Sequence, residues 1–478
     1  MSSVSARALA LQLAGWRGST GEPAYSAIAG RVRLLVLDGR ITLGARLPAE
    51  RDLASQLDVS RTTVSAAYAE LRDAGFLRST RGSGSVATMP ELQAQHPDPE
   101  STGYLDFTKA SMPALPAVVE AARRAVDQLP AHLGSSGFDP IGLPQLRQAL
   151  ADRYTARGLP TSPDQIMVTI GAQHAIALLS RTLLTRGDRA LVESPSYPHG
   201  FEALRDAGAR LVTVNVSTED GWDELGLEQA IQRTSPSLGY LMPDFHNPTG
   251  RTMSAELRKK TIALAETHGT ILIADETMAE LDIDGGEPPL PFAAYGAAAS
   301  SPNVVLVGSV GKTVWGGVRI GWIRAERPLI QRLVLARSSG DLGTPILEQL
   351  IVLNLLEDYD GILDLRRLQL GDGRDRLERL LAERLPEWTV PHVAGGLTTW
   401  VNLGEPVSSQ LTLAARNEGL LIAAGPRFGI DGAFERFLRI PFSLTAPDTE
   451  RAVDALAAAW KTVGRYSMAD NPYLAGVV

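Results

Sequence analysis

Lys312 lies in the stretch Ser309-Val-Gly-Lys312-Thr313-Val-Trp-Gly-Gly-Val-Arg319, in a chain with only five lysines among its 46 basic residues. Arginine supplies charge almost everywhere else, so a lysine kept here points to chemistry a guanidinium cannot perform. A primary amine can lose its proton and condense with an aldehyde to a Schiff base, whereas arginine stays protonated. Ser309 and Arg319 add a hydroxyl and a fork of donors suited to a phosphate. An aldehyde and a phosphate on one small molecule describe pyridoxal 5′-phosphate (PLP). A surface lysine in a loop is the plain alternative, and the neighbouring segments decide against it.

Four other segments carry groups that would serve such a ligand. Gly171-Ala172-Gln173-His174 opens a helix whose backbone N–H groups can cradle a phosphate. Tyr197, in Glu193-Ser-Pro-Ser-Tyr197-Pro198, can stack on a ring. Asn247, in His246-Asn247-Pro248-Thr249-Gly250, can donate to a phenolate oxygen. Asp275 can hold a proton on a pyridine nitrogen and strengthen the ring as an electron sink. Each has an ordinary alternative: a packing turn, a packed tyrosine, a plain turn, a helix cap. Their joint occurrence favours one site.

All five groups follow apolar runs that read as strands, at 166–170, 190–192, 238–242, 270–274 and 304–307. Strands alternating with helical segments predict an α/β domain with a mainly parallel sheet. Such sheets bind ligands beyond the carboxyl ends of their strands, where these residues fall.

The 478-residue length implies more than one domain, and 44% hydrophobic with 21% charged residues is ordinary globular composition. The absence of cysteine excludes disulfides and thiolate sites, and the seven scattered histidines give no metal-ligand spacing. No apolar run is long enough to span a bilayer, and the N-terminus lacks the marks of a signal peptide. A cytoplasmic protein without a metal or a membrane partner is expected. Residues 1–90 hold 11 arginines, no lysine and seven acids, a charge of +4. Since the whole chain carries −8, the remainder carries −12. A basic head on an acidic body points to a polyanion as the partner of the head.

Within the head, a helix is predicted from Tyr25, a second after Pro48, and a third from Arg61 to about Asp73 with Ser60 as its N-cap. Two short strands flank Arg81-Gly82-Ser83-Gly84. Two helices around a tight turn at Asp58-Val59, followed by a glycine-tipped hairpin, describe a winged helix-turn-helix. Ser60, Arg61, Thr62 and Thr63 would then start the helix that enters the major groove of double-stranded DNA. A small structural bundle is the alternative. Residues 89–103 are polar, hold three prolines and read as a tether. The expected domains are therefore a head at 1–88, a linker at 89–103 and a body at 104–478.

The residues also carry resemblances. LPAERDLASQLDVSRTTVSAAYAELRDAGFLRSTRGSGSVA resembles the GntR-type bacterial regulators. That likeness implies DNA contacts from Arg51, Arg61 and Thr63, with Arg81 and Gly82 in a wing along the minor groove. Asp58 stands where the family usually has glycine. The body resembles the fold-type I, PLP-dependent aminotransferases through Gly137-Phe138-Asp-Pro140-x-Gly142-x-x-x-Leu146-Arg147, N-P-T-G, S-x-x-K and the later arginine. This implies Lys312 for the Schiff base, Asp275 for the ring nitrogen, Asn247 for the phenolate and Tyr197 for stacking. It also implies Ala172, Gln173, Ser309 and Arg319 for the phosphate, and Arg439, in Phe437-Leu-Arg439-Ile-Pro-Phe442, for a substrate or effector carboxylate. Two departures weaken the case for transamination. Thr277 and Met278 stand where a tyrosine is usual, and Phe138 replaces a tyrosine that reaches the neighbouring subunit's phosphate. Head and body together resemble the MocR/GabR class of regulators. The implied fold class is a small α+β winged helix-turn-helix followed by a large α/β aminotransferase-like domain. The implied function is a homodimeric transcriptional regulator that uses PLP on Lys312 to sense an amino compound, or PLP itself. The alternative is an active aminotransferase with a DNA-binding head.

Overall fold

The computed structural model describes residues 3–13, 16, 23–37, 40–41, 43–80, 84–88, 104–286, 289–296, 301–430 and 432–463. Arg81 and Gly82 of the expected wing tip, and the whole of the expected linker at 89–103, lie outside these residues.

In the head, helices Ala24–Leu37, Glu50–Leu57 and Arg61–Asp73 share one core built from Ile28, Val32, Leu35, Leu53, Leu57, Val64, Tyr68 and Leu71. The apolar residues recur at helical spacing, so each helix turns one face inward. Ser60 caps the third helix by accepting from the Thr63 N–H at 3.1 Å. Asp58 ends the second helix in the left-handed region, φ 53° and ψ 51°, and this sets the tight turn. The Tyr68 hydroxyl donates to the Pro48 carbonyl at 3.1 Å and ties the third helix to the start of the second. Strands Leu77–Thr80 and Gly84–Ala87 pair antiparallel, with Leu77 opposite Ala87. One element was not expected from the sequence. Helix Ala6–Gln12, capped by Ser5, adds the fully buried Leu9 and Leu13 to the head core. Each such leucine contributes roughly 1.5–3 kcal/mol by leaving water.

The body is centred on an eight-stranded sheet in the order Ile166–Thr169, Gly321–Arg324, Val304–Ser309, Ile271–Asp275, Leu238–Leu241, Arg189–Ser194, Arg210–Ser217, Gly221–Trp222. The five strands named in the sequence are all present and run in one direction, and their carboxyl ends lie on one side of the sheet. Gly321–Arg324 runs against its two neighbours and inserts between the first and fifth of them. Residues of alternate register go to separate cores on the two faces: Val168, Leu272 and Leu306 on one, Met167, Ile273 and Val305 on the other. Burial on both faces explains why these strands read as continuous apolar runs rather than alternating ones.

A smaller three-stranded antiparallel sheet, Thr398–Asn402, Phe437–Pro441 and Ala423–Ala424, stands beside this body with helices Ser408–Asn417 and Ala446–Thr462. It places Arg439 opposite Trp400 on one side and Ala423 on the other. Strand Leu105–Asp106 pairs with Leu420–Leu421, so the start of the body is fastened to this smaller unit.

Candidate functional site

A cavity of about 810 Å³ opens beyond the carboxyl ends of the strands. Ala172, Gln173, Tyr197, Asn247, Asp275, Ser309, Lys312, Arg319 and Arg439 all line it, so every cofactor and effector position expected from the sequence is brought to one place.

Lys312 is held by its Nζ donating to the Ala110 carbonyl at 2.6 Å. Burial, reinforced by the charge of Arg439 and opposed by Asp275, brings its pKa down to about 8. Near neutral pH an appreciable share of such amines is uncharged, which a nucleophile requires.

Asp275 ends its strand buried at the cavity wall. Tyr240 donates its hydroxyl to Oδ2 at 2.7 Å, and Thr277 donates its hydroxyl to Oδ1 at 2.7 Å. Burial raises the carboxyl pKa against the pull of these donors and of Lys312. Thr277, in the region where a tyrosine was missed, therefore turns its hydroxyl to the aspartate. Met278, the other such position, lines the cavity with an apolar side chain. Tyr240 was not singled out in the sequence, because it sits inside an apolar strand run and reaches Asp275 only through the sheet.

The phosphate-type corner is built on backbone geometry. Gly171 has φ 83°, and a Cβ there would stand 2.8 Å from Arg319 Nη2. Arg319, itself left-handed at φ 54°, donates from Nη2 to the Ile170 carbonyl at 3.2 Å. Ser309 donates to the Ile320 carbonyl at 2.9 Å and accepts from the Gly311 N–H at 3.0 Å. Gln173 donates to the His199 carbonyl, while its Oε1 is buried without a partner. His174 braces this corner from behind. Its Nδ1 accepts from the Ile170 N–H at 3.1 Å, and Nε2 lies 2.9 Å from Asp341. Burial lowers the imidazole pKa, which favours the neutral tautomer with its proton on Nε2.

Asn247 is 5% exposed and its Oδ1 has no partner. The segment before it is fixed by the fully buried Arg258, which reaches Asp244 at 2.6 Å. Tyr197 is held protonated, since burial pushes its hydroxyl up to about 12. Arg439 is 5% exposed, with its guanidinium carbon 5.0 Å above the Phe428 ring. One Nη donates to the Thr108 carbonyl, and Nε is buried with no partner. Burial brings this guanidinium down to about 10. A carboxylate would supply the missing acceptor, because buried polar groups are nearly always paired.

These features fit PLP. Glycine opens the backbone for a phosphate, a serine and an arginine flank it, and the Asn247 amide lines the same cavity. A carboxylate faces the same cavity as a nucleophilic amine.

In the head, Arg51, Ser60, Arg61 and Thr62 are exposed and Thr63 is half-buried. Ser60 Oγ also lies 2.7 Å from the Thr62 hydroxyl and 2.8 Å from that of Thr63, so it is engaged in the cap. Arg61 lies 3.8 Å from Glu50, and Arg51 lies 3.7 Å from Asp52, both in largely exposed pairs of small energetic weight.

Comparison with known proteins places both parts. Residues 101–456 match the family described as aminotransferase class I and II, and residues 24–86 match the gntR family of bacterial regulatory proteins. The chain is 28% identical to the HTH-type transcriptional regulator YisV of Bacillus subtilis (strain 168), over 94% of this chain and 98% of that protein. It is 30% identical to the HTH-type transcriptional regulator YdcR of Escherichia coli (strain K12), over 87% and 94%. Among solved structures, it resembles LysN, the alpha-aminoadipate aminotransferase of Thermus thermophilus, complexed with N-(5′-phosphopyridoxyl)-L-leucine. That match has a TM-score of 0.69 at 27% identity and covers 77% of this chain and 95% of that one.

The fold and the matches define a regulator with a gntR-type winged helix-turn-helix and a fold-type I body whose cofactor is PLP. The chain belongs to the aminotransferase class I and II family, in the MocR/GabR-type arrangement that joins this domain to a DNA-binding head. Among the described residues, none group to hold a metal ion, and no helix is long and apolar enough to cross a membrane.

Proposed function

We propose that this transcriptional regulator uses PLP held at Lys312 to sense an amino compound, and that it acts as a homodimer. One observation carries the reading: a half-buried amine of lowered pKa shares its cavity with a buried arginine whose Nε lacks an acceptor. The first suits a carbonyl and the second a carboxylate.

When bound, PLP supplies an aldehyde carbon that captures amines reversibly and a ring that withdraws electrons. The protein groups then have separate tasks. Lys312 gives up its proton and acts as the amine nucleophile. Asp275, aligned by Tyr240 and Thr277, would hold a protonated ring nitrogen. The Asn247 amide N–H would donate to the ring's oxygen substituent, and Tyr197 would cover one face. The N–H groups at Ala172 and Gln173, with Ser309 and Arg319, hold the phosphate. Arg439 receives the carboxylate of the arriving amino compound. That compound would compete with Lys312 for the cofactor's carbonyl, and loss of that tie would release the segment from Gly311 to Gly317.

The reading requires the two ligand states to bind DNA differently. Arg31 and Arg40 of the head lie 3.6 Å and 3.9 Å from Glu435 of the smaller unit. Glu435 also accepts from the Ser409 N–H at 3.0 Å and its hydroxyl at 2.8 Å, at the start of a helix that lines the cavity with Thr412, Leu413 and Arg416. This contact supports communication between cavity and head. In the head, Arg51, Ser60, Arg61, Thr62 and Thr63 are assigned to DNA contact.

Catalysis of transamination is the second reading, and the hydroxyl of Thr277 being engaged with Asp275 disfavours it. The test is DNA affinity and footprint on the protein's own upstream region, with and without PLP and a panel of amines. Unchanged affinity and footprint would overturn the sensing role. Rapid release of a keto acid from an amino acid would favour the enzyme.

A further inference from the structure

Arg366, on helix Tyr359–Arg384, is 1% exposed, and among the described residues its hydrogen bonds all go to uncharged oxygens. Nε donates to the Thr313 carbonyl at 2.8 Å and Nη1 to Gln369 at 2.9 Å. Nη2 donates to the carbonyls of Val314 and Pro113, the latter at 2.6 Å. Among the described residues, no carboxylate pairs with it. A buried guanidinium without a counter-charge is costly, and its charge-assisted bonds to backbone offset that cost only while the three carbonyls stay in place.

Those carbonyls surround Lys312. Thr313 and Val314 directly follow the lysine. Pro113 lies three residues beyond Ala110, whose carbonyl accepts from Lys312 Nζ at 2.6 Å. One guanidinium therefore spans the segment that carries the amine and the segment that receives its hydrogen bond. Tyr359, at the start of the same helix, adds a bond of 2.7 Å between its hydroxyl and that of Thr313.

Further along, the helix meets the strand of Arg439. Gly373 is buried, and a Cβ there would collide with the Phe442 carbonyl. Phe442 directly follows strand Phe437–Pro441, which carries Arg439. Tyr359, Arg366 and Gly373 recur every seven residues, so they share one face over roughly 21 Å of helix. All three stand outside the cavity wall.

We infer that Arg366 is a positioning residue for Lys312, and that this helix face links the Lys312 segment mechanically to the strand of Arg439. The consequence for regulation rests on the function proposed above. A shift of the lysine segment moves the strand that receives the carboxylate, and by linkage the reverse also holds.

The experiment follows PLP capture by the cofactor-free, full-length protein across pH, read by absorbance. Arg366→Met and Arg366→Lys should both loosen the lysine segment and admit water to the amine, which raises its titration midpoint. A rise of about one pH unit lowers the capture rate at pH 8 roughly fivefold. Arg366→Lys keeps the charge but lacks the fork that spans three carbonyls, so it tells position from charge. Tyr359→Phe keeps the packed ring. It should shift the profile the same way by a smaller amount, and it carries the test if the arginine variants fail to fold. Gly373→Ala probes the far end. It should change the capture rate at least about twofold, although Gly373 touches neither Lys312 nor the cavity. Amide hydrogen exchange over residues 359–373 should slow when PLP is added to the unaltered protein, and should not slow in Arg366→Lys. A profile unchanged in Tyr359→Phe and in the folded arginine variants, or shifted by Arg366→Met alone, overturns the positioning role. A capture rate indifferent to Gly373→Ala overturns the link. If capture responds to these variants but no amine alters DNA binding, the link stands and sensing fails. If amines alter DNA binding while capture ignores all four changes, sensing stands and the link fails.

Discussion

Tyr240 donates its hydroxyl to Asp275 Oδ2 at 2.7 Å from the neighbouring parallel strand, while Thr277 engages the other oxygen of the same carboxylate. The aspartate is thus fixed from two sides before any ligand arrives. Donors to a carboxylate favour its ionised form, and burial opposes this. Tyr240→Phe removes one donor while keeping the ring packed. The Asp275 pKa should rise further, and the carboxylate should hold a cationic ring nitrogen less well. PLP affinity is expected to fall by about fivefold, from a loss of roughly 1 kcal/mol. Spectrophotometric PLP titration, with circular dichroism to show retained fold, checks this.

Lys312 yields a prediction in pH. The folded amine titrates at about 8, against 10.5 for an unperturbed lysine. The reactive form is the neutral amine, so capture of PLP by cofactor-free protein should speed up as pH rises from 7 to 9. It should then level off well before pH 10. Borohydride reduction followed by peptide mapping should place the pyridoxyl group on Lys312. Lys312→Arg should leave no adduct and no amine response, while DNA binding persists. A rate still climbing steeply past pH 10 would show that the amine is not perturbed.

Much of this site was legible because each chemistry-bearing residue follows its own apolar run, and parallel strands bring such ends together. Tyr240, His174 as a brace and the engaged hydroxyl of Thr277 were not legible. Their partners are set by strand register and by Asp341, which is 167 positions from His174. The helix Ala6–Gln12 escaped notice since seven residues show too little periodicity, and its burial depends on the head around it. The antiparallel strand Gly321–Arg324 is only four residues long and follows the arginine that drew attention. The contact of Arg31 and Arg40 with Glu435 joins segments some 400 residues apart, and no local pattern could announce it.

Asp58 occupies a left-handed position at φ 53°. An aspartate tolerates this better than most residues but still bears strain that glycine would not. Asp58→Gly should therefore stabilise the head or leave it unchanged. The balance is about 1 kcal/mol of relieved strain against the greater entropy of an unfolded glycine. Differential scanning calorimetry should show no loss of the head transition. A clear destabilisation would mean the Asp58 side chain contributes a contact of its own.

Arg61 begins the third helix of the head and is largely exposed, at 73%. A phosphate contact from this position implies a measurable salt effect. Arg61→Ala should weaken binding across different DNA sequences alike, and reduce the slope of log affinity against log salt by about one. A change confined to one base position would instead assign Arg61 to base recognition. Because its ion pair with Glu50 is exposed, thermal stability should change by less than about 1 kcal/mol.

Glu435 provides the test of communication between the two parts. Its carboxylate faces Arg31 and Arg40 of the head while accepting from Ser409, whose helix carries Thr412 and Arg416 to the cavity wall. Glu435→Gln keeps an oxygen for Ser409 and removes the charge that the two arginines face. Each partly buried pair is worth about 1 kcal/mol at most at these distances. The variant should fold and bind PLP as before, since neither depends on that charge. Its DNA affinity should respond less to ligand, by roughly fivefold when one such contact distinguishes the two states. Arg31→Gln and Arg40→Gln should act in the same direction, and either combined with Glu435→Gln should add little, because both changes remove the same contact. Measuring the ligand-dependent shift in DNA affinity for the singles and doubles separates this route from one through the cofactor segment alone. A full response in Glu435→Gln would show that the signal passes elsewhere.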